Sequence, residues 1–195
     1  MKRHFIIYIL ATIPLLFIHS CSDEFLDINP KASVATGSYY NNMEHADQAL
    51  TAAYSMFNSV TAWDRNLLML FGSIASDDAE AGGEFVNEVP AFEAVNRMEH
   101  LKTQGEFEEV YGVLFRGVYL SNVAIENLPR IADLDPDVNM VTLNRRIAEA
   151  KFIRAINYFY LTMVFGGVPY VDMIIGPSDY EKPRTPIKEI YEGIE

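Results

Sequence analysis

Residues 141–169, VTLNRRIAEAKFIRAINYFYLTMVFGGVP, decide the fold. Helix-forming residues run without a break from Val141 to Phe165, and two apolar seams climb the stretch at helical spacing. One is Ala148, Phe152, Ala155, Phe159 and Met163; the other includes Leu143, Ile147, Ala150, Leu161 and Val164. A helix apolar on two sides packs between neighbours, so this segment is expected at the centre of a core. Gly166-Gly167 supplies its stop, and Pro169 prevents continuation.

The same reading extends in both directions. Upstream, Phe107, Tyr111, Leu114, Val118, Ile125 and Leu128 mark one face of a helix over about 107–128, ended by Pro129. Further upstream, Asn42 stands where it can cap a helix carrying Met43, Ala46, Leu50, Ala53 and Phe57 on one face. Downstream, Thr185 is expected to cap a fourth helix with Pro186 at its first position and Ile187, Ile190, Tyr191 and Ile194 on its apolar face. That face meets no later element, so the chain reads as truncated relative to a complete fold. Residues 58–104 show no sustained period and are expected to be a long excursion of loops with short helices or strands. The class expected is all-α.

The N-terminus reads differently. Met1-Lys2-Arg3-His4 is a basic start, and the apolar run Phe5–Ile18 is too short to span a membrane. Its length and flanks fit a secretory signal. Ile18-His19-Ser20-Cys21 resembles a bacterial lipobox, with His19 atypical, so cleavage before Cys21 and acylation of that cysteine are expected. Ser22-Asp23-Glu24 resembles an acidic signal for export to the outer face of an outer membrane. The expected organisation is a signal peptide over 1–20, a lipid-anchored tether over 21–42, and a helical domain over 43–195.

Composition excludes several functions. The formal net charge is −12, with 15 Lys and Arg against 27 Asp and Glu. Nucleic-acid binding needs clustered cations, and an acidic surface is repelled by anionic lipid, so attachment to a membrane has to come from an anchor. A single cysteine rules out an intramolecular disulfide. The four histidines have no metal-ligand spacing, and neither metal nor cofactor is expected.

The candidate contact residues lie in the 58–104 excursion. Trp63 offers an aromatic face for stacking on a sugar, or else packs beneath the excursion. Asp77 and Asp78 are adjacent on a turn. They do not face each other across a substrate bond as a hydrolase pair does, and turn hydrogen bonds account for them better. Phe85, Asn87 and Phe92 can reach a ligand or fill the loop. Arg154, near Glu149 and Tyr158, reads as half of a structural salt bridge. Ser121-Asn122 has neither His nor Gly-rich elbow beside it, so no nucleophile is read there.

Several segments together resemble the SusD/RagB family of outer-membrane nutrient-binding lipoproteins. They are Cys21-Ser22-Asp23-Glu24-Phe25-Leu26-Asp27; Ser76-Asp77-Asp78; Tyr111 with Ser121-Asn122 and Ile125-Glu126-Asn127-Leu128-Pro129; Glu149 to Ala155 with Tyr158-Phe159 and Phe165-Gly166-Gly167-Val168-Pro169; and Pro183-Arg184-Thr185-Pro186 with Ile187-Lys188-Glu189-Ile190-Tyr191. The resemblance implies tetratricopeptide-like helix pairs with binding loops, a truncated SusD-like fold, no catalysis and capture of oligosaccharide. It also implies delivery to a SusC-like TonB-dependent transporter at the cell exterior. A peptide-capturing RagB-like lipoprotein and a structural helical-repeat scaffold without ligand are the alternatives. A lipid-anchored hydrolase lacks a catalytic constellation.

Overall fold

The structure is a computed structural model that describes residues 39–195; the leader, Cys21 and most of the tether lie outside the described residues. Helix α1 spans Met43–Tyr54, and a 3-10 turn at Ser55–Asn58 leads into a π-helix, Val60–Ile74. Then follow α2 (Pro90–Asn96), α3 (Gly105–Asn127), α4 (Ile131–Leu134), α5 (Met140–Phe165) and α6 (Ile187–Ile194). Among the described residues no strand forms, and the one isolated bridge pairs Val168 with Thr185. The all-α class expected from the periodicity is what the chain adopts.

Helices α3 and α5 form the central pair. Helix α1 lies against both, the π-helix packs on α3, and α6 packs on α5. Two apolar clusters flank the pair. One gathers Leu50, Ala53, Leu128, Leu143, Ala150 and Ile153; the other gathers Trp63, Leu114, Val118, Tyr158, Leu161 and Ile190. The α3–α5 crossing is close because Gly117 has no side chain: a Cβ there would strike the buried amide of Asn157. The caps are those the residue types call for. Asn42 Oδ1 accepts from the His45 N–H at 3.0 Å, and Asn139 Oδ1 accepts from the Thr142 N–H at 3.1 Å. Gly166, at φ 71°, ends α5 in backbone space that side chains resist.

Several expectations need correction. Residues 60–74 are not loop but a wide-wound helix burying Trp63, Leu67, Leu70 and Ile74; only 75–89 remains an irregular segment before α2. The first α5 seam is not core. Phe152 is 64%, Phe159 43% and Met163 63% exposed, while the opposite face carries the fully buried Leu143, Ile153 and Leu161. Thr185 does not cap α6: the cap position is Pro186, and Thr185 bridges Val168 while its hydroxyl accepts from the Tyr170 N–H. The apolar face of α6 is not left unmet, because Ile190 turns back onto preceding helices and is fully buried.

Arg154 is held without an ion pair to Glu149, which bonds Arg145 and Arg146 instead. The Arg154 guanidinium donates to Asn122 Oδ1 at 2.9 Å and to the Asp172 carbonyl at 2.8 Å. Asn122 Nδ2 donates to the carbonyls of Val171 and Met173, and the Tyr158 hydroxyl accepts from the Val171 N–H at 2.6 Å. This clasp pins the irregular link after α5 to the central pair, and its donors replace the hydrogen bonds that the link's backbone lacks.

A candidate binding surface around Phe107

The residues singled out in the sequence are scattered by the fold. Trp63 is 9% exposed, with Phe57 edge-on at 4.5 Å and Tyr160 edge-on at 5.2 Å between ring centroids. Its ring is enclosed, as the packing alternative has it. Asp77 and Asp78 are exposed on a turn in which the Asp78 N–H donates to Ser76 Oγ. Phe85 is 65% exposed, and Asn87 adopts φ 61° in the same segment. The Glu84 N–H donates to Glu88 Oε2 at 2.7 Å, which closes the loop around that tip. Phe92 is buried, with the Arg65 guanidinium 5.2 Å over its ring.

A different surface gathers more chemistry. Phe107, in the first turns of α3, stands at the junction of three adjoining clefts. The first, about 260 Å³, runs between the π-helix and α5 past Leu68, Phe71, Tyr160 and Met163. The second is rimmed by His100, Lys102 and Arg184, and the third by Lys102, Gln104, Tyr111 and Phe165. The rings form a connected run: Phe71 to Phe107 at 4.7 Å, Phe107 to Phe165 at 6.3 Å, Phe165 to Tyr111 at 5.2 Å, and Tyr111 to Phe115 at 4.6 Å.

Each member is placed by a local device. The loop before α3 is clamped by Gln104, whose Oε1 accepts from the Leu101 N–H and whose Nε2 donates to the Ala91 carbonyl. Phe107 and Tyr111 share a helix face by their i, i+4 spacing. Arg184 donates to the Phe165 carbonyl at the end of α5, satisfying a helix-terminal acceptor while its charge stays at the rim. Burial pushes the Tyr111 phenol above its ordinary range, and the Arg184 guanidinium pulls the other way. Flat apolar rings with amide, imidazole and cationic donors around them suit a ligand that presents both apolar faces and hydrogen-bonding groups.

Sequence reading missed this surface because Phe107 and Tyr111 lie on the core-facing periodicity of α3. The available signal was the concentration of aromatics at 107, 111, 115 and 165. Among the described residues no group of three or more His, Cys, Asp or Glu is placed to hold a metal, and no helix is long and apolar enough to cross a membrane.

Comparison with known proteins agrees with this architecture. A SusD-like family model, described as starch-binding and associating with the outer membrane, matches residues 24–195. SusD-like protein P2 of Formosa agariphila is 28% identical over 201 residues, covering all of this chain and 36% of the relative. A SusD-like protein of Bacteroides ovatus is 27% identical over 166 residues, covering 84% of this chain and 28% of the relative. The chain thus spans about a third of the length of the relatives it matches. Among solved structures, a laminarin-binding SusD-like protein superposes with TM-score 0.67 at 23% identity, covering 80% of this chain and 32% of that one. Surface glycan-binding protein A from Bacteroides uniformis gives 0.66 at 22%, covering 78% and 32%. At those identities the likeness is one of fold, whereas the family match runs through far more than half of the sequence, and the chain belongs to the SusD-like family.

Proposed function

We propose that this protein is a non-catalytic capture protein for oligosaccharide. It is anchored by lipid on Cys21 at the exterior of the outer membrane and passes its ligand to a SusC-like TonB-dependent transporter. The observation that carries the reading is the aromatic run around Phe107, rimmed by Lys102, His100 and Arg184. Sugar rings have apolar C–H faces that cover aromatic rings and hydroxyls that meet such a rim. The family description and the names of the laminarin-binding and glycan-binding structural relatives support the ligand class. Asp77, Asp78, Phe85 and Asn87 remain candidates for secondary contacts from the exposed 75–89 segment; Trp63, enclosed between Phe57 and Tyr160, is left out of the contact set.

Titration with maltooligosaccharides and laminarin oligosaccharides, monitored by calorimetry, tests the proposal. Saturable binding that Phe107→Ala weakens about tenfold or more, the order of a lost stacking contact, is the expected result. Absence of binding to both glycan series, with uptake of peptides instead, would replace oligosaccharide by the peptide alternative.

A further inference from the structure

We infer that the binding surface continues over Glu108 into a second, polar subsite on α3 that takes the hydroxyl-rich end of a longer glycan chain. The inference rests on the glycan-capture reading and extends it. A cleft of about 620 Å³ is lined by Ser59, Glu108, Glu109, Gly112 and Arg116, with Met56 and Val113 as its apolar part. Glu108 also lines the aromatic cleft of Phe107 and Tyr111, so the two spaces share one wall. From Gly105 to Arg116 the path follows α3 for roughly 16 Å, at the rise of an α-helix.

Two observations set this cleft apart from ordinary surface. The first is the carboxylate of Glu109. It is oriented by Asn66, a fully buried amide on the π-helix whose Nδ2 donates to Glu109 Oε2 at 2.7 Å. The other Asn66 amide atom, Oδ1, is buried with no partner. Holding one rim carboxylate in a fixed direction is what a binding group needs, and here it is done from inside the protein at the expense of an unsatisfied buried acceptor.

The second is Gly112. Glycine weakens a helix interior, and elsewhere on α3 it has a reason: Gly117 makes room for Asn157. At Gly112 a Cβ would meet nothing within 4 Å, so no internal contact requires the glycine. Its effect is to leave the cleft floor at backbone level. A carboxylate pair accepting from hydroxyls, the Arg116 guanidinium donating to them and a floor without side chains suit an uncharged polyhydroxylated segment.

The test compares maltotriose with maltohexaose, and laminaritriose with laminarihexaose, on the full chain and on Gly112→Phe and Glu109→Gln. Gly112→Phe fills the cleft from a position with open space around it, and a thermal melt checks that the fold is kept. For the unsubstituted protein the hexasaccharide of the preferred series is expected to bind about tenfold more tightly than the trisaccharide, the order of one or two charge-assisted hydrogen bonds. That gain with length is expected to vanish in Gly112→Phe and to shrink in Glu109→Gln. A gain that persists in both variants, or no gain in the unsubstituted protein, overturns the second subsite while leaving glycan capture intact. Failure of every oligosaccharide to bind the unsubstituted protein overturns the capture reading and this inference with it.

Discussion

At the scale of single residues, burial decides roles that residue type alone leaves open. Trp63 and Phe107 are both aromatics near the start of a helix, yet one is enclosed by Phe57 and Tyr160 and the other stands where three clefts meet. Trp63→Ala should therefore cost about 3–5 kcal/mol of stability, read as a lowered denaturation midpoint. Glycan affinity of the folded fraction should stay within error. Tyr158 gives a pH-dependent case. It is fully buried, and desolvation pushes its phenol well above the ordinary 10.0, against a smaller opposing effect from the Val171 hydrogen bond. The neutral phenol thus contributes stability in full below about pH 10, and that contribution declines as pH rises further. Tyr158→Phe should remove about 1–2 kcal/mol at neutral pH, through the acceptor lost to the Val171 N–H. It should also flatten the alkaline fall of the melting temperature. Tyr111 and Tyr170, raised by burial in the same direction, retain the remainder of that fall.

At the scale of elements, the legible parts are those where one helical face is apolar and the other is not. The boundaries of α3 and α5 fall within two residues of the periodicity, and Asn42 and Gly166 mark ends for reasons of backbone chemistry. The π-helix was illegible for a physical reason. Its buried face includes the polar Asn66, while Leu68 and Met69 are 41% and 42% exposed, so the contrast that period-finding needs is blurred. The two seams of α5 look alike in sequence because apolarity does not say which side meets a partner; the partner is set by α1, α3 and α6. The candidate site was hidden for a related reason, since Phe107, Tyr111 and Phe165 come together only when α3 and α5 pack. Two glycines of α3 test this logic with opposite signs. Gly112→Ala should raise stability by about 0.5–1 kcal/mol, because Ala is the better helix former and the space is open. Gly117→Ala should lower it by about 1–3 kcal/mol, because Asn157 has to leave its place in a tightly packed crossing. Chemical denaturation of the two variants side by side measures both, and equal effects would mean that the α3–α5 crossing is looser than its contacts indicate.

At the scale of the whole molecule, charge and attachment have to be reconciled. The chain carries a formal −12, and its family is described as associating with the outer membrane. An acidic protein gains nothing from anionic headgroups, so electrostatic adsorption is the wrong physics for it. Among the described residues no helix is long and apolar enough to span a bilayer. The attachment proposed for it is hydrophobic, through acyl chains on Cys21, which follows the short apolar run Phe5–Ile18. One acyl chain holds a protein only marginally, whereas two or more give a stable anchor. Three consequences separate this from adsorption. Attachment in membrane fractions should persist through a high-salt wash, because no charge pairing is there to screen. Detergent should release the protein. Cys21→Ala should abolish both acyl labelling and membrane recovery while leaving the helical domain's melt unchanged, since the substitution lies well before α1. Salt-sensitive attachment that survives Cys21→Ala would point instead to a protein partner in the membrane as the anchor, and the acidic surface would then be the part of the molecule that the partner reads.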